Sequence, residues 1–176
     1  MPSAGTRPTS DRVREAIFSS LEARDLIEGA RVLDLFAGSG ALGLEAASRG
    51  AATVTLVEKS YAAVEVCKAN TAIVSTRAPR GQGPEIRVVS TAVQTFLTSA
   101  LDTWHLIFAD PPYELGGLEL DHILTALVPR LAPDALVVLE RSTRSPVPAW
   151  PIELTLDKTS RYGDTVVYWL RGPEAS

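Results

Sequence analysis

The chain has 176 residues, of which 45% are hydrophobic and 22% charged, a size and balance that predict one globular domain over residues 1–176 burying roughly 70% of its unfolded surface. A formal charge of -4 excludes a broadly basic protein that coats nucleic acid, so any such partner has to be met by a local patch. Cys67 is the only cysteine, which excludes an internal disulfide, leaves no metal-binding pattern and predicts a reducing, cytoplasmic setting; no apolar run approaches the ~20 residues of a membrane span.

Cap-type residues at Thr9, Ser10 and Asp11, followed by Val13, Ala16, Ile17 and Leu21 at helical spacing, predict a helix from Ser10 to Ala23. Its other face carries Arg12 and Arg14, with Arg7 just before it; this is either a solvated face or a patch for phosphates. Arg31 to Phe36 reads as a buried strand that turns through Ala37-Gly38-Ser39-Gly40 into a helix running to Arg49. Thr53 to Glu58 is a second strand, and a helix from Ser60 to Val74 places Cys67 among small core residues. After a loop over Ser75 to Glu85 come a strand at Ile86–Ser90, a helix at Val93–Ala100 and a strand ending at Asp110. Next are a helix over Glu119–Arg130 and a strand at Ala135–Glu140. Strands alternating with helices, each strand almost continuously apolar, imply a parallel α/β sheet covered on both faces. The pattern then changes, because Ile152–Arg161 and Thr165–Leu170 flank Tyr162-Gly163-Asp164 as an antiparallel hairpin.

Two stretches carry chemistry. The first is the glycine turn, which alone is shared by dinucleotide and S-adenosylmethionine sites. In a dinucleotide site the helix N-terminus faces a pyrophosphate, and a carboxylate in the last turn of the preceding strand repels it. Asp34 lies in that position, so Asp34-Leu35-Phe36-Ala37-Gly38-Ser39-Gly40 favours the methyl donor, which has no phosphate. Glu58, with Lys59 beside it, stands roughly 20 residues beyond the glycines, where such folds hold a ribose. The second stretch is Asp110-Pro111-Pro112-Tyr113, where a buried strand leaves the sheet. The prolines stiffen the turn, so a carboxylate, fixed carbonyls and an aromatic ring face a substrate that donates N–H bonds and offers a flat face.

Together these motifs resemble a class I methyltransferase acting on an exocyclic amine. Arg7-Pro8-Thr9, Asp11-Arg12-Val13-Arg14-Glu15 and Phe18 further resemble the opening of the RsmD family, which methylates the N2 amine of a guanine in bacterial small-subunit (16S) ribosomal RNA. The resemblance implies a Rossmann-like, seven-stranded and mostly parallel sheet with helices on both faces and an antiparallel C-terminal hairpin. It also implies S-adenosylmethionine as donor with S-adenosylhomocysteine as product, no metal, and a monomer acting on the assembling or assembled subunit, with ribosomal proteins as further partners. The chain departs from many class I enzymes in having Ser90-Thr91-Ala92 in place of an acid after the third strand, so adenine recognition there rests on backbone groups or the Thr91 hydroxyl.

On that reading Asp110 and the Pro111 carbonyl accept the two amine N–H bonds, Pro112 holds the turn and Tyr113 stacks on the target base. The expected RNA contacts are Arg7, Thr9, Arg12, Arg14, Arg161 and Tyr162, with Lys158, Arg141 and Arg144 as weaker candidates. The rival readings are an adenine-N6 nucleic-acid methyltransferase, a protein-glutamine methyltransferase, which usually has Asn in place of Asp110, and a nucleoside-binding ribosome-assembly factor without activity.

Overall fold

The computed structural model describes residues 8–79 and 81–175, with side chains from Ser10 onward. Arg7 and the side chain of Thr9 lie outside the described residues. Helix α1 (Pro8–Ala23) starts two residues earlier than its apolar spacing predicts, at a proline whose missing N–H is one the first turn leaves unused in any case. Its buried face is Val13, Ile17, Phe18 and Leu21, and the Phe18 ring packs 5.5 Å from that of Phe108.

The strands and helices then alternate as expected: β1 (Arg31–Leu35), α2 (Ala41–Ser48), β2 (Thr53–Glu58), α3 (Tyr61–Thr76), β3 (Glu85–Ser90), α4 (Val93–Ser99), β4 (Trp104–Ala109) and α5 (Gly117–Leu127). They are followed by β5 (Leu131–Ser142), β6 (Thr155–Tyr162) and β7 (Thr165–Arg171). One seven-stranded sheet runs in the order β3-β2-β1-β4-β5-β7-β6; the pairs from β3 to β5 are parallel, and β7 lies antiparallel to both its neighbours. Side-chain alternation sorts the core into two layers. Residues such as Val32, Phe108 and Val138 meet α1, α2 and α3 on one face, while Leu33, Ile107 and Val137 meet α4 and α5 on the other. Cys67 is fully buried in the first layer, and burial pushes its thiol up to about 11.

Several boundaries shift from the sequence expectation, among them α5, which spans Gly117–Leu127 where Glu119–Arg130 is expected, and two shifts have a clear physical cause. β5 extends beyond the apolar run Ala135–Leu139 because its ladder with β7 continues through Arg141↔Val166 and Ser142↔Thr165, a backbone pairing to which hydrophobic periodicity is blind. β6 begins at Thr155 rather than Ile152, since the Leu154 amide closes a turn onto the Pro151 carbonyl and leaves Ile152 in solvent.

Candidate active site

The order of the sheet creates the site. From β1 the chain winds outward to β3 and then returns to lay β4 on the other side of β1, and ligands of open α/β sheets sit in the crevice at such a reversal. Leu35 is in register with Ala109, so Phe36 and Asp110 leave adjacent strands at the same level. Phe36 takes φ 60°, a conformation uncommon outside glycine, and holds its ring at the crevice. Beyond it the turn enters α2 through Gly40, which also has a left-handed backbone.

A cavity of about 350 Å³ opens at this point, lined on one side by Phe36, Val57, Glu58, Lys59 and Ser60 and on another by Thr91, Ala92, Val93 and Gln94. Asp110, Pro112, Leu115, Glu119 and Ile123 complete it. Glu58 is clasped by backbone donors: one carboxylate oxygen accepts the Gly38 N–H at 2.8 Å and the other the Ser60 N–H at 2.8 Å. A carboxylate has about four acceptor positions, so two remain for hydroxyl groups of a ligand.

Asp34 has a different use. It is buried, does not line the cavity, and accepts the Gly43 N–H at 2.9 Å behind the turn. Burial, offset by that hydrogen bond and increased by Asp110 and Glu58, raises its pKa to about 7. Gly43 is what permits the contact, because a Cβ at that position would collide with Leu56 and press on Val54 and Asp34 itself.

Asp110 stands between two spaces. Besides the first cavity it lines a recess of about 290 Å³ with Pro111, Tyr113, Glu140, Arg141, Ser142, Ser145, Asp164 and Thr165. Its accessible surface opens into these spaces, but the protein packed around it raises its pKa to about 6 by desolvation, with the Arg141 charge pulling the other way. Glu140 is raised further, to about 8, by burial and then by the negative charge of Asp110. Pro111 is buried, whereas the Tyr113 side chain is 72% exposed at the rim. The turn thus carries a carboxylate with access to both spaces and an aromatic face available for stacking.

The family model described as "Conserved hypothetical protein 95" matches residues 1–171. "Ribosomal RNA small subunit methyltransferase D" of Escherichia coli K12 is 37% identical over 173 residues, covering 98% of this chain and 82% of that protein. The solved Escherichia coli protein yhhF has a TM-score of 0.81 at 33% identity, covering 99% of this chain and 92% of the other. The chain belongs to the RsmD family. Its fold is that of class I methyltransferases: magnesium protoporphyrin IX methyltransferase from Synechocystis, solved with bound SAM, superposes with a TM-score of 0.72 at 12% identity.

In this RsmD-family chain the structure gathers Phe36, Glu58, Lys59, Thr91, Ala92, Asp110 and Pro112 around one cavity and places Pro111 and Tyr113 on the adjoining recess. Of the other residues expected to hold the donor, Asp34, Ala37, Gly38, Ser39 and Gly40 do not line the cavity; Gly38 instead fixes Glu58, and the Ser39 carbonyl accepts from the Asn70 side chain. The Thr91 amide is already spent on the Glu58 carbonyl, which leaves its hydroxyl and the exposed Gln94 side chain as polar groups on that wall. Gln94 was not foreseen, nor were Leu115, Glu119 and Ile123; Glu119 and Ile123, four apart on α5, share a helical face, though without chemistry to single it out.

The basic residues divide by use. Arg14 hydrogen-bonds Asp11 at 3.0 Å and lies 3.9 Å from Glu45, while Arg12 is exposed and makes no ion pair among the described residues. Lys158 is taken up structurally, donating to the Ser20 hydroxyl and lying 4.5 Å from the centre of the Trp169 ring. Tyr162 packs against the first core layer, which narrows its role at the surface, whereas Arg161 is exposed.

Proposed function

We propose that this chain transfers a methyl group from S-adenosylmethionine to the exocyclic N2 amine of a guanine in small-subunit ribosomal RNA, carried as an assembling or assembled subunit. The observation that supports it most strongly is the position of Asp110 on both the 350 Å³ cavity and the 290 Å³ recess, so that a donor in one and an acceptor base in the other meet at its carboxylate. The name of the Escherichia coli relative supports the ribosomal substrate.

The cavity suits the donor chemically. Phe36, Val57, Val93, Leu115 and Ile123 give apolar walls for a flat base, and the open acceptor positions of Glu58 suit ribose hydroxyls. Thr91 and Gln94 are the polar groups available to the base edge, and the acids nearby favour a cationic sulfonium over a pyrophosphate. When bound, the donor supplies an electrophilic methyl whose C–S bond breaks with its electron pair going to sulfur.

The remaining work falls to the Asp110 turn. An aromatic amine is a poor nucleophile because its lone pair is delocalised into the ring; accepting its N–H bonds at the Asp110 carboxylate and the Pro111 carbonyl favours a pyramidal nitrogen and aims the lone pair. Fixed acceptors then stabilise the positive charge that develops on nitrogen. Asp110 takes the released proton late, since the amine becomes acidic only once the N–C bond has formed. Tyr113 stacks on a base drawn out of its helix or loop.

The test is mass-spectrometric mapping of ribosomal RNA from cells with and without the gene. Loss of one N2-methylguanosine from small-subunit RNA is expected; an unchanged N2-methylguanosine map, or loss of N6-methyladenosine in its place, overturns the reading.

A further inference from the structure

Nothing in the proposed chemistry yet explains why the base should be guanine. The recess beside Asp110 contains two groups that it leaves idle. One is Glu140: because Ala109 is in register with Leu139, Asp110 and Glu140 occupy the next position on neighbouring parallel strands and share the recess. The other is Arg141, a recess-lining residue 92% removed from solvent, whose Nε is buried without an acceptor among the described residues. A buried guanidinium donor left unpaired is costly unless something arrives to accept from it.

We propose that Glu140 and Arg141 read the base edge, Glu140 accepting the ring N1–H and the Arg141 guanidinium donating to O6, while Asp110 holds the N2 amine. This inference rests on the guanine-N2 reading above. Guanine presents donor, donor and acceptor at N2, N1 and O6, which matches two carboxyls and a guanidinium in kind and number. Adenine bound by its N6 amine presents a lone pair at N1 and a C–H beyond it, leaving Arg141 unpaired. The carboxyls are compatible with this arrangement. Burial raises both carboxyls, and the charge of Asp110 raises Glu140 further; a proton kept on Glu140 and turned toward Asp110 leaves an outward oxygen on each that only accepts.

The deciding probe is 2,6-diaminopurine placed at the target position of small subunits reconstituted from unmethylated RNA. It keeps the N2 amine but replaces N1–H by a lone pair and O6 by an amine, inverting the two contacts assigned to Glu140 and Arg141. Wild-type protein should methylate guanine about 100-fold or more faster than diaminopurine, in kcat/KM, because an edge of the wrong polarity leaves buried groups unpaired. Glu140→Leu, which removes the acceptor for N1–H, should lose about tenfold on guanine and narrow the preference by at least tenfold. Its donor affinity, measured by calorimetry, should match wild type and so report an intact fold.

Wild-type turnover that is equal on both bases overturns the edge-reading assignment without depending on any variant. A Glu140→Leu protein that binds donor normally and retains the full preference overturns the role of Glu140. Absence of methyl transfer from wild type to either base refutes the guanine-N2 reading itself, a separate outcome.

Discussion

The two spaces that meet at Asp110 are built in opposite ways. The cavity proposed for the donor is lined mainly by short runs at and after the ends of β1, β2, β3 and β4, with Glu119 and Ile123 from α5, and has apolar walls and the clasped carboxylate of Glu58. The recess draws on the ends of β4 and β5 and the start of β7, segments far apart in sequence, and its walls carry Asp110, Glu140 and Asp164 against Arg141. One space is a mould for a ligand of fixed shape, where local backbone geometry does the selecting. The other is a polar surface in which long-range pairing brings charges together, and selection depends on protons and hydrogen bonds. The difference predicts that changes in the first move donor affinity while changes in the second move turnover and base choice.

The largest break in that division should come from Asp110→Ala, which belongs to both spaces. Its kcat on unmethylated subunits should fall by about 10²- to 10³-fold while donor affinity by calorimetry changes little, since the fixed acceptor matters in the transition state. Comparable loss in donor affinity would merge the two spaces into one. Glu58→Ala should do the reverse, weakening the donor by about 10- to 100-fold through lost hydrogen bonds to a charged group; an unchanged dissociation constant removes Glu58 from the site. Gly43→Ala tests the scaffold beneath the donor turn. The added methyl meets Leu56, so denaturant unfolding should show a loss of about 1–3 kcal/mol.

An effect of another kind concerns pH. Asp34 holds its proton more tightly folded, at about 7, than at its unfolded value of 3.8, so its contribution to stability is greatest below about pH 4 and is lost as pH rises through 7. Asp34→Asn removes that dependence, and the difference in unfolding free energy between variant and wild type should grow in the variant's favour from pH 4.5 to 7.5. A difference that stays constant across that range counts against a buried, destabilised carboxylate. The smallest change is expected from Arg12→Ala, an exposed side chain, which should raise KM for the subunit a few-fold and leave the donor untouched; it is the variant that bears on a basic docking face.

Much of the fold was legible because each parallel strand is a short apolar run and each helix opens on a recognisable break, as at Ser60, whose hydroxyl accepts the Ala63 N–H. Asp110-Pro111-Pro112-Tyr113 was legible because its residue types carry the chemistry within four positions. Asp34 illustrates the limit. Its place before the glycines is what favours the methyl donor in the sequence, but spacing does not say that the carboxylate accepts from Gly43 and does not line the cavity. Glu140 and Arg141 were harder still, because they look like the polar end of any strand until β7 pairs alongside and closes the recess. Arg14 shows the same for surface charge: a guanidinium that reads as free in the sequence lies between Asp11 and Glu45 in the fold.

The placement of β7 between β5 and β6 has a temporal side. Among the described residues strand β6 pairs only with β7, so it remains without a partner until β7, later in the chain, has been synthesised. The turns that make the donor cavity all precede Pro133, whereas Asp164 and Thr165 of the recess arrive with the last strand. Since chains emerge from the N-terminus, the residues that line the proposed donor cavity are made before those that complete the recess. The recess proposed to choose the base is completed last, so on that proposal an incomplete chain lacks the wall against which a wrong base would be tried.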